Sequence, residues 1–113
     1  MPEIVTLTHA DFDRELGRSD VPVLVDYWAP WCGPCRRLGP VIEEIAAERA
    51  GTLKVAKVNV DDEPALADRA RVQGIPLVVL YRGGEPVARA VGALPKVHLE
   101  SALGLDADLS SAA

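Results

Sequence analysis

Cys32 and Cys35 are the only cysteines in this chain of 113 residues, and two residues separate them at the junction of two different hydrophobic patterns. Before them, residues 21–28 form an apolar run with a period of two, which is typical of a β-strand. After them, apolar residues recur at helical spacing. A Cys-x-x-Cys pair at such a junction indicates redox chemistry rather than a disulfide-stapled scaffold. No other feature constrains the fold and the function as strongly.

The residues around the pair favour a reactive thiolate on Cys32. A helix that begins at or near Cys32 leaves its first backbone N–H groups unpaired and directed toward the sulfur of that residue. A helix N-terminus and a Cys-x-x-Cys neighbour both lower the pKa of a thiol. Gly33 allows a tight turn, and Pro34 suits the first helical turn, where a missing N–H costs no hydrogen bond. The two sulfurs are thereby held close enough to bond.

Three other interpretations of the cysteine pair compete with redox chemistry. A zinc site needs four ligands, but only His9 and His98 could join the cysteines, and neither stands at a ligand spacing, so we expect no metal. A structural disulfide would close a loop too short to restrict the unfolded chain much, and a chain of this size does not need one. Two inert thiols are the third interpretation, which the neighbouring Trp and Pro residues disfavour.

Length and composition restrict the class of protein. The 113 residues, 49% of them hydrophobic, suffice for one domain with a single core, which we place at residues 1–105, and we expect residues 106–113 to form a short disordered tail. The net charge of −5 argues against a nucleic-acid partner, which would bind a basic surface. No apolar stretch approaches the ~20 residues of a membrane span, and the chain does not begin with a secretory signal. We therefore expect a cytoplasmic monomer that does not bind membranes.

The remaining patterns predict an α/β fold with the order β-α-β-α-β-α-β-β-α. Thr8, followed three residues later by Asp11, predicts the start of the first helix, and Gly17 predicts its end. Because residues 21–28 are apolar on both faces, they form a central strand covered by helices on both sides. A β-α-β unit with a right-handed crossover implies parallel strands. The sequence thus predicts a five-stranded mixed sheet flanked by four helices.

Two charged residues interrupt apolar strand faces. Asp26 stands between Leu24 and Trp28 on one face of the central strand. A buried acid keeps its proton well above its ordinary pKa of ~4 unless it finds a partner, so Asp26 is either a hydrogen-bonded structural acid or a functional one. Lys57 lies on an apolar face of the next strand, where a lysine most often extends its charge to water.

The cysteine motif and its surroundings resemble the thioredoxin family from about Val5 to Leu103. The resemblance rests on motifs that occur in the family's order: Asp26, Trp28-Ala29-Pro30, Trp31-Cys32-Gly33-Pro34-Cys35, Pro40, Val58-Asn59-Val60-Asp61, Gly74-Ile75-Pro76, Gly83-Gly84 and Val91-Gly92. It implies the thioredoxin fold and protein-disulfide reduction. Leu77 stands where the family usually has Thr, and Arg36 stands where it commonly has Lys. Neither difference changes the fold assignment.

The resemblance also implies catalytic roles. Cys32 would attack a substrate disulfide as a thiolate, and Cys35 would resolve the mixed disulfide. Asp26 would lie under the active site and help to move the proton of Cys35. Lys57 would lie near Asp26 and lower the pKa of that acid.

A substrate-binding surface is implied around the cysteines. The peptide bond before Pro76 would be cis and opposite the cysteines, where the backbone of Ile75 could pair with an extended substrate segment. Gly92 would keep the approach open. The complete surface comprises Trp31, Gly33, Pro34, Gly74, Ile75, Pro76, Gly92 and Ala93. The alternative is that its apolar members only close the core.

The implied partners are proteins that contain a disulfide and a flavin-dependent thioredoxin reductase that recycles the oxidised pair. The resemblance implies no cofactor on this chain. Two other functions stay open. A disulfide oxidase or isomerase could use the same fold, although the Gly33-Pro34 dipeptide and the lack of a secretory signal disfavour it. A binding module could use the apolar surface without using the thiols.

Overall fold

The computed structural model of the chain describes residues 3–106. In this range the elements are β1 (Ile4–Thr6), α1 (Phe12–Gly17), β2 (Val23–Trp28), α2 (Gly33–Glu48), β3 (Lys54–Asn59), α3 (Pro64–Arg69), β4 (Leu77–Arg82), β5 (Glu85–Val91) and α4 (Lys96–Ala102). These five strands and four helices confirm the predicted order. The predicted tail lies outside the described residues except for Asp106.

The strands form one mixed sheet in the order β1-β3-β2-β4-β5. β2 is central, as predicted, and pairs in parallel with β3 and antiparallel with β4. β1 and β5 are the two edges, parallel to β3 and antiparallel to β4 respectively. Because β2 and β3 run in the same direction, the residues that follow them in the chain emerge at the same end of the sheet.

Each face of the sheet carries its own apolar cluster. Leu24, Val55 and Ile42 belong to the cluster under α2 and α4, where Ile42 is completely buried. Val25 and Phe12 belong to the cluster under α1 and α3. Burial of a side chain of this size stabilises the fold by about 1.5–3 kcal/mol. The alternation of β2 between two covered faces is the reason that its sequence is apolar throughout.

Helix α2 begins next to the cysteine motif and continues past a proline. Cys32 is its N-cap residue, and Pro34 occupies the first turn. Pro40 lies inside the helix, which runs on to Glu48 because its apolar stripe stays packed on the sheet. Gly51, with a φ of +91°, takes the left-handed conformation just after the helix. The helix therefore has the predicted start, and Gly51 lies three residues beyond its end.

Helix α1 begins one turn later than the sequence predicts. Thr8 was expected to cap it, but the helix starts at Phe12 with Asp11 as its N-cap residue. The Asp11 carboxylate accepts the N–H of Thr8 at 2.7 Å, and the hydroxyl of Thr8 accepts the N–H of Ala10 at 3.3 Å. The predicted pair of Thr8 and Asp11 therefore forms, but it closes a turn over residues 9–11, and the helix itself begins only at Phe12.

Candidate active site

The two cysteines lie where the chain passes from β2 into α2. They form a disulfide, their Cα atoms are 5.2 Å apart, and each is 4% exposed. The backbone N–H of Cys35 donates to the Cys32 Sγ at 3.2 Å. Since Cys32 is the N-cap of a helix of 16 residues, its sulfur also faces the positive end of the helix dipole. This environment favours negative charge on Cys32 when the disulfide is reduced.

Asp26 is buried beneath this end of the sheet and lies next to Lys57. Asp26 and Lys57 are register partners on the parallel strands β2 and β3, and Asp26 is 1% exposed. Within residues 3–106, the Asp26 Oδ1 atom has no hydrogen-bond partner. Burial raises the pKa of Asp26 to about 6, although the positive charge of Lys57 acts in the opposite direction. This acid therefore changes its charge near neutral pH.

Trp28 connects this charged pair to the cysteines. Its ring packs against the small cluster formed by Ala29, Cys32 and Cys35. The Lys57 Nζ lies 5.4 Å from the centroid of the Trp28 ring, a cation–π distance. The indole N–H is buried and has no hydrogen-bond partner in the described part of the chain. Lys57, which is half-buried, thus places its charge over the Trp28 ring.

The loop before β4 lies opposite the cysteines. The peptide bond between Ile75 and Pro76 is cis, as the resemblance implies. The carbonyl oxygen of Ile75 is 3.8 Å from the Cys32 Sγ, and Ile75 packs against the cysteine cluster. The N–H of Gly92 donates to the Pro76 carbonyl at 2.8 Å. These contacts bring the cis-proline loop and the glycine that follows β5 to the same site.

The other predicted surface residues are arranged around this centre. Trp31 is 67% exposed, and Gly74 and Ala93 are also exposed. Gly33 and Pro34 are half-buried in the first turn of α2. An added Cβ on Gly74 would lie 3.8 Å from the side chain of Val91, an ordinary contact distance. Of the remaining members of the predicted surface, Ile75 and Gly92 are half-buried and Pro76 is buried, and the binding role of the whole set stays a prediction.

The sequence analysis missed Asp61 as part of this site. The Trp31 Nε1 donates to the Asp61 Oδ2 at 2.8 Å, which fixes the orientation of the exposed indole. In the sequence, Asp61 stands out only as the last residue of the Val58-Asn59-Val60-Asp61 motif. The strand register could have revealed it, because Trp28 pairs with Asn59 and the residues that follow these two must meet.

The described residues hold no group of three or more His, Cys, Asp and Glu side chains arranged for a metal ion. None of the helices between residues 3 and 106 is long and apolar enough to cross a membrane. The site contains two vicinal cysteines at a helix N-terminus and a buried acid on the preceding strand. Such a pair can exchange two electrons with another disulfide.

The fold and the cysteine pair together define a thiol-disulfide oxidoreductase. Residues 3–104 match the family model Thioredoxin. The chain is 46% identical to Thioredoxin 1 of Nostoc sp. over 103 residues, which cover 91% of this chain and 96% of that protein. It is 46% identical to Thioredoxin of Haemophilus influenzae over 99 residues, which cover 88% of this chain and 92% of the relative. Thioredoxin M4, chloroplastic, of Arabidopsis thaliana is 39% identical over 101 residues, 89% of this chain and 52% of that protein.

The chain therefore belongs to the thioredoxin family. It is a protein-disulfide reductase whose substrates are protein disulfides and whose recycling requires a reductase. The oxidase, isomerase and non-catalytic interpretations are the less favoured ones. The thioredoxin fold predicted from the sequence is confirmed.

Proposed function

We propose that Cys32 is the attacking thiol and Cys35 the resolving thiol of this reductase. The Cys32 thiolate attacks one sulfur of a substrate disulfide, forms a mixed disulfide and releases the first substrate thiolate. The Cys35 thiolate then attacks the Cys32 sulfur, releases the second substrate thiolate and closes the Cys32–Cys35 disulfide. Two electrons pass to the substrate. The N–H of Cys35 at 3.2 Å from the Cys32 sulfur is the observation that supports this assignment most directly.

Asp26 is proposed to move the proton of Cys35. The resolving step requires the Cys35 thiol to lose its proton, and Cys35 is as buried as Cys32. An acid with a pKa of about 6 is partly protonated near neutral pH, so it can accept that proton and later return it. Lys57 is proposed to tune Asp26, because its positive charge opposes the effect of burial on that pKa.

The cis-proline loop is proposed to bind the substrate backbone. Ile75, with its carbonyl oxygen 3.8 Å from the Cys32 sulfur, would pair with an extended segment and hold its disulfide near the attacking atom. The proposed contact surface also includes Trp31, Gly33, Pro34, Gly74, Pro76, Gly92 and Ala93.

The cellular role proposed here is electron transfer in the cytoplasm by a monomer. A flavin-dependent thioredoxin reductase would supply the electrons, and no cofactor would be bound to this chain. The exposed large apolar side chains are divided among three segments, which favours a monomer over a dimer with one continuous apolar interface. Trp31 lies in the connection between β2 and α2, Val87 and Val91 lie on β5, and Val97 lies on α4.

Serine variants of the two cysteines test the order of the steps. Cys32→Ser should abolish reduction of insulin disulfides, because no attacking thiolate remains. Cys35→Ser should react once and accumulate a mixed disulfide, which mass spectrometry detects as an adduct that dithiothreitol removes. Full multiple turnover by Cys35→Ser would contradict the two-thiol mechanism.

A further inference from the structure

A groove leads away from the active site along the sheet face that carries α1 and α3. It consists of two adjoining cavities of about 590 and 570 Å³, and both are lined by Arg71 and Arg89. The cavity nearer the active site ends at Gly74. Its lining is Arg71, Gln73, Gly74, Leu77, Arg89 and Val91. We call this cavity, the one nearer the active site, the arginine groove.

Arg89 is fixed across the groove by the chain that follows α3. Its Nη1 and Nη2 atoms donate to the carbonyl oxygens of Ala70 and Arg71 at 3.1 and 3.2 Å. A guanidinium carries further N–H donors, and these bonds to backbone carbonyls do not neutralise its charge. Arg89 is therefore a positioned cation with donors to spare.

Arg71 supplies a second and unpaired cation. It is exposed, and its side chain has no hydrogen-bond or ion-pair partner among residues 3–106. Its backbone takes the left-handed conformation, with a φ of +55°. Arg71 lies in the turn that follows α3, and glycine is the more usual residue in this conformation after a helix. Since the arginine groove contains two arginines and no acid, it is locally basic in a chain with a net charge of −5.

The arginine groove is continuous with the substrate surface around the cysteines. Gly74 lines the groove and directly precedes Ile75, whose carbonyl oxygen is 3.8 Å from the Cys32 sulfur. Arg71 and Ile75 are four residues apart, so their Cα atoms are separated by at most about 14 Å. An extended substrate segment covers that distance with about four residues.

We propose that the arginine groove binds acidic side chains of substrate proteins that lie within about four residues of the reducible disulfide. This inference rests on the proposed function of the Cys32–Cys35 site and names the substrates which that site prefers. The carboxylates would accept hydrogen bonds from Arg71 and Arg89, whose planar guanidinium groups suit carboxylate geometry.

Matched peptides and matched arginine variants test the proposal. The peptides contain one intramolecular disulfide flanked on both sides by Glu, or by Gln in the neutral control. Second-order rate constants for their reduction by the reduced protein come from acid quenching and chromatography. Arg71→Asn removes the free cation and tolerates a positive φ. Arg18→Asn is the control, since Arg18 is equally exposed and lines neither cavity.

We expect the wild type to reduce the acidic peptide about two to five times faster than the neutral one at low salt, the range for one exposed ion pair. Arg71→Asn should lose this preference, and Arg18→Asn should keep it. An equal preference in Arg71→Asn and the wild type, or no preference in the wild type, would overturn the proposal while leaving the reductase activity intact. If the wild type reduced neither peptide, the proposed function would fail as well.

Discussion

Asp26 combines 1% exposure with a pKa of about 6, because burial penalises its charged form more than Lys57 stabilises it. This is an unfavourable position for a carboxylate. Its Oδ1 atom has no partner within residues 3–106, and Lys57 directs its charge over the Trp28 ring. A purely structural acid would be expected to have its hydrogen bonds satisfied. An acid kept in such a position agrees with the proposed role of Asp26 as a proton acceptor for Cys35.

The first prediction at this scale concerns stability. Folding raises the pKa of Asp26 from 3.8 to about 6. At pH values between these two, the folded state therefore binds more protons than the unfolded state. The ionisation of buried Asp26 therefore destabilises the folded state increasingly as the pH rises from about 4 to 6, and this loss of stability reaches its full size above pH 6. Relative to the wild type, Asp26→Asn should gain about 2 kcal/mol in unfolding free energy between pH 4 and pH 8. Urea denaturation at both pH values measures it, and a pH-independent difference would contradict it.

The second prediction uses the same variant in kinetics. Asp26→Asn cannot accept a proton, so the resolving step should slow above pH 6, where wild-type Asp26 is ionised. The formation of the mixed disulfide should change much less, and this provides the internal control. Rapid chemical quenching with mass detection separates the two steps. Equal resolving rates across pH 6–9 would remove Asp26 from the mechanism.

The elements of this fold follow from local patterns, whereas the contacts between them do not. The apolar run at residues 21–28 and the helical stripe after Cys35 were sufficient to predict β2, α2 and their order, because periodicity is a property of neighbouring residues. The cis bond before Pro76 needed the family resemblance, since proline alone leaves trans as the more frequent form. The start of α1 was wrong because a short turn used the capping groups first.

Contacts between distant charged residues gave no sequence signal. Arg49 and Glu100 are 51 positions apart, and each is typical of a solvated helix face. In the structure the Nε and Nη2 atoms of Arg49 donate to the Glu100 Oε2 at 3.2 and 2.8 Å, and this joins the end of α2 to α4. Only tertiary structure brings such partners together. The bond from Trp31 to Asp61 differs, because the pairing of β2 with β3 brings the residues that follow these strands together.

The prediction at the element scale concerns this link between α2 and α4. Burial acts to raise the pKa of Glu100, but its hydrogen bonds from Arg49 and Lys96 outweigh burial and lower that pKa. Arg49→Met should leave the Glu100 carboxylate buried without its main partner and cost about 3 kcal/mol of stability at pH 7, the low end for a broken buried ion pair because Lys96 still donates to Glu100. The double variant Arg49→Met with Glu100→Met should recover most of this loss. Urea denaturation measures the unfolding free energies of the two single variants and of the double variant. If the double variant lost as much stability as the two single variants together, Arg49 and Glu100 would not be a coupled pair.

At the scale of the whole molecule, one end of the sheet carries the redox chemistry. The ends of β2 and β3, the start of α2, the loop before β4 and the turn after β5 all meet there. Elsewhere the two apolar clusters keep this geometry rigid, so that the cysteines, the buried acid and the cis-proline loop hold their positions. The arginine groove extends from this end along one face, and it gives the molecule a means to choose among substrates without a change in the reacting groups.

The central claim is that the cysteine pair works as a reductant. The measurement that tests it most directly is the reduction potential of the Cys32/Cys35 pair, obtained by equilibration with dithiothreitol or glutathione buffers. We predict a potential of about −270 mV, which is the known value for thioredoxin and not a result of this structure. A potential between about −180 and −120 mV would contradict the account, because a pair so oxidising acts as an isomerase or an oxidase.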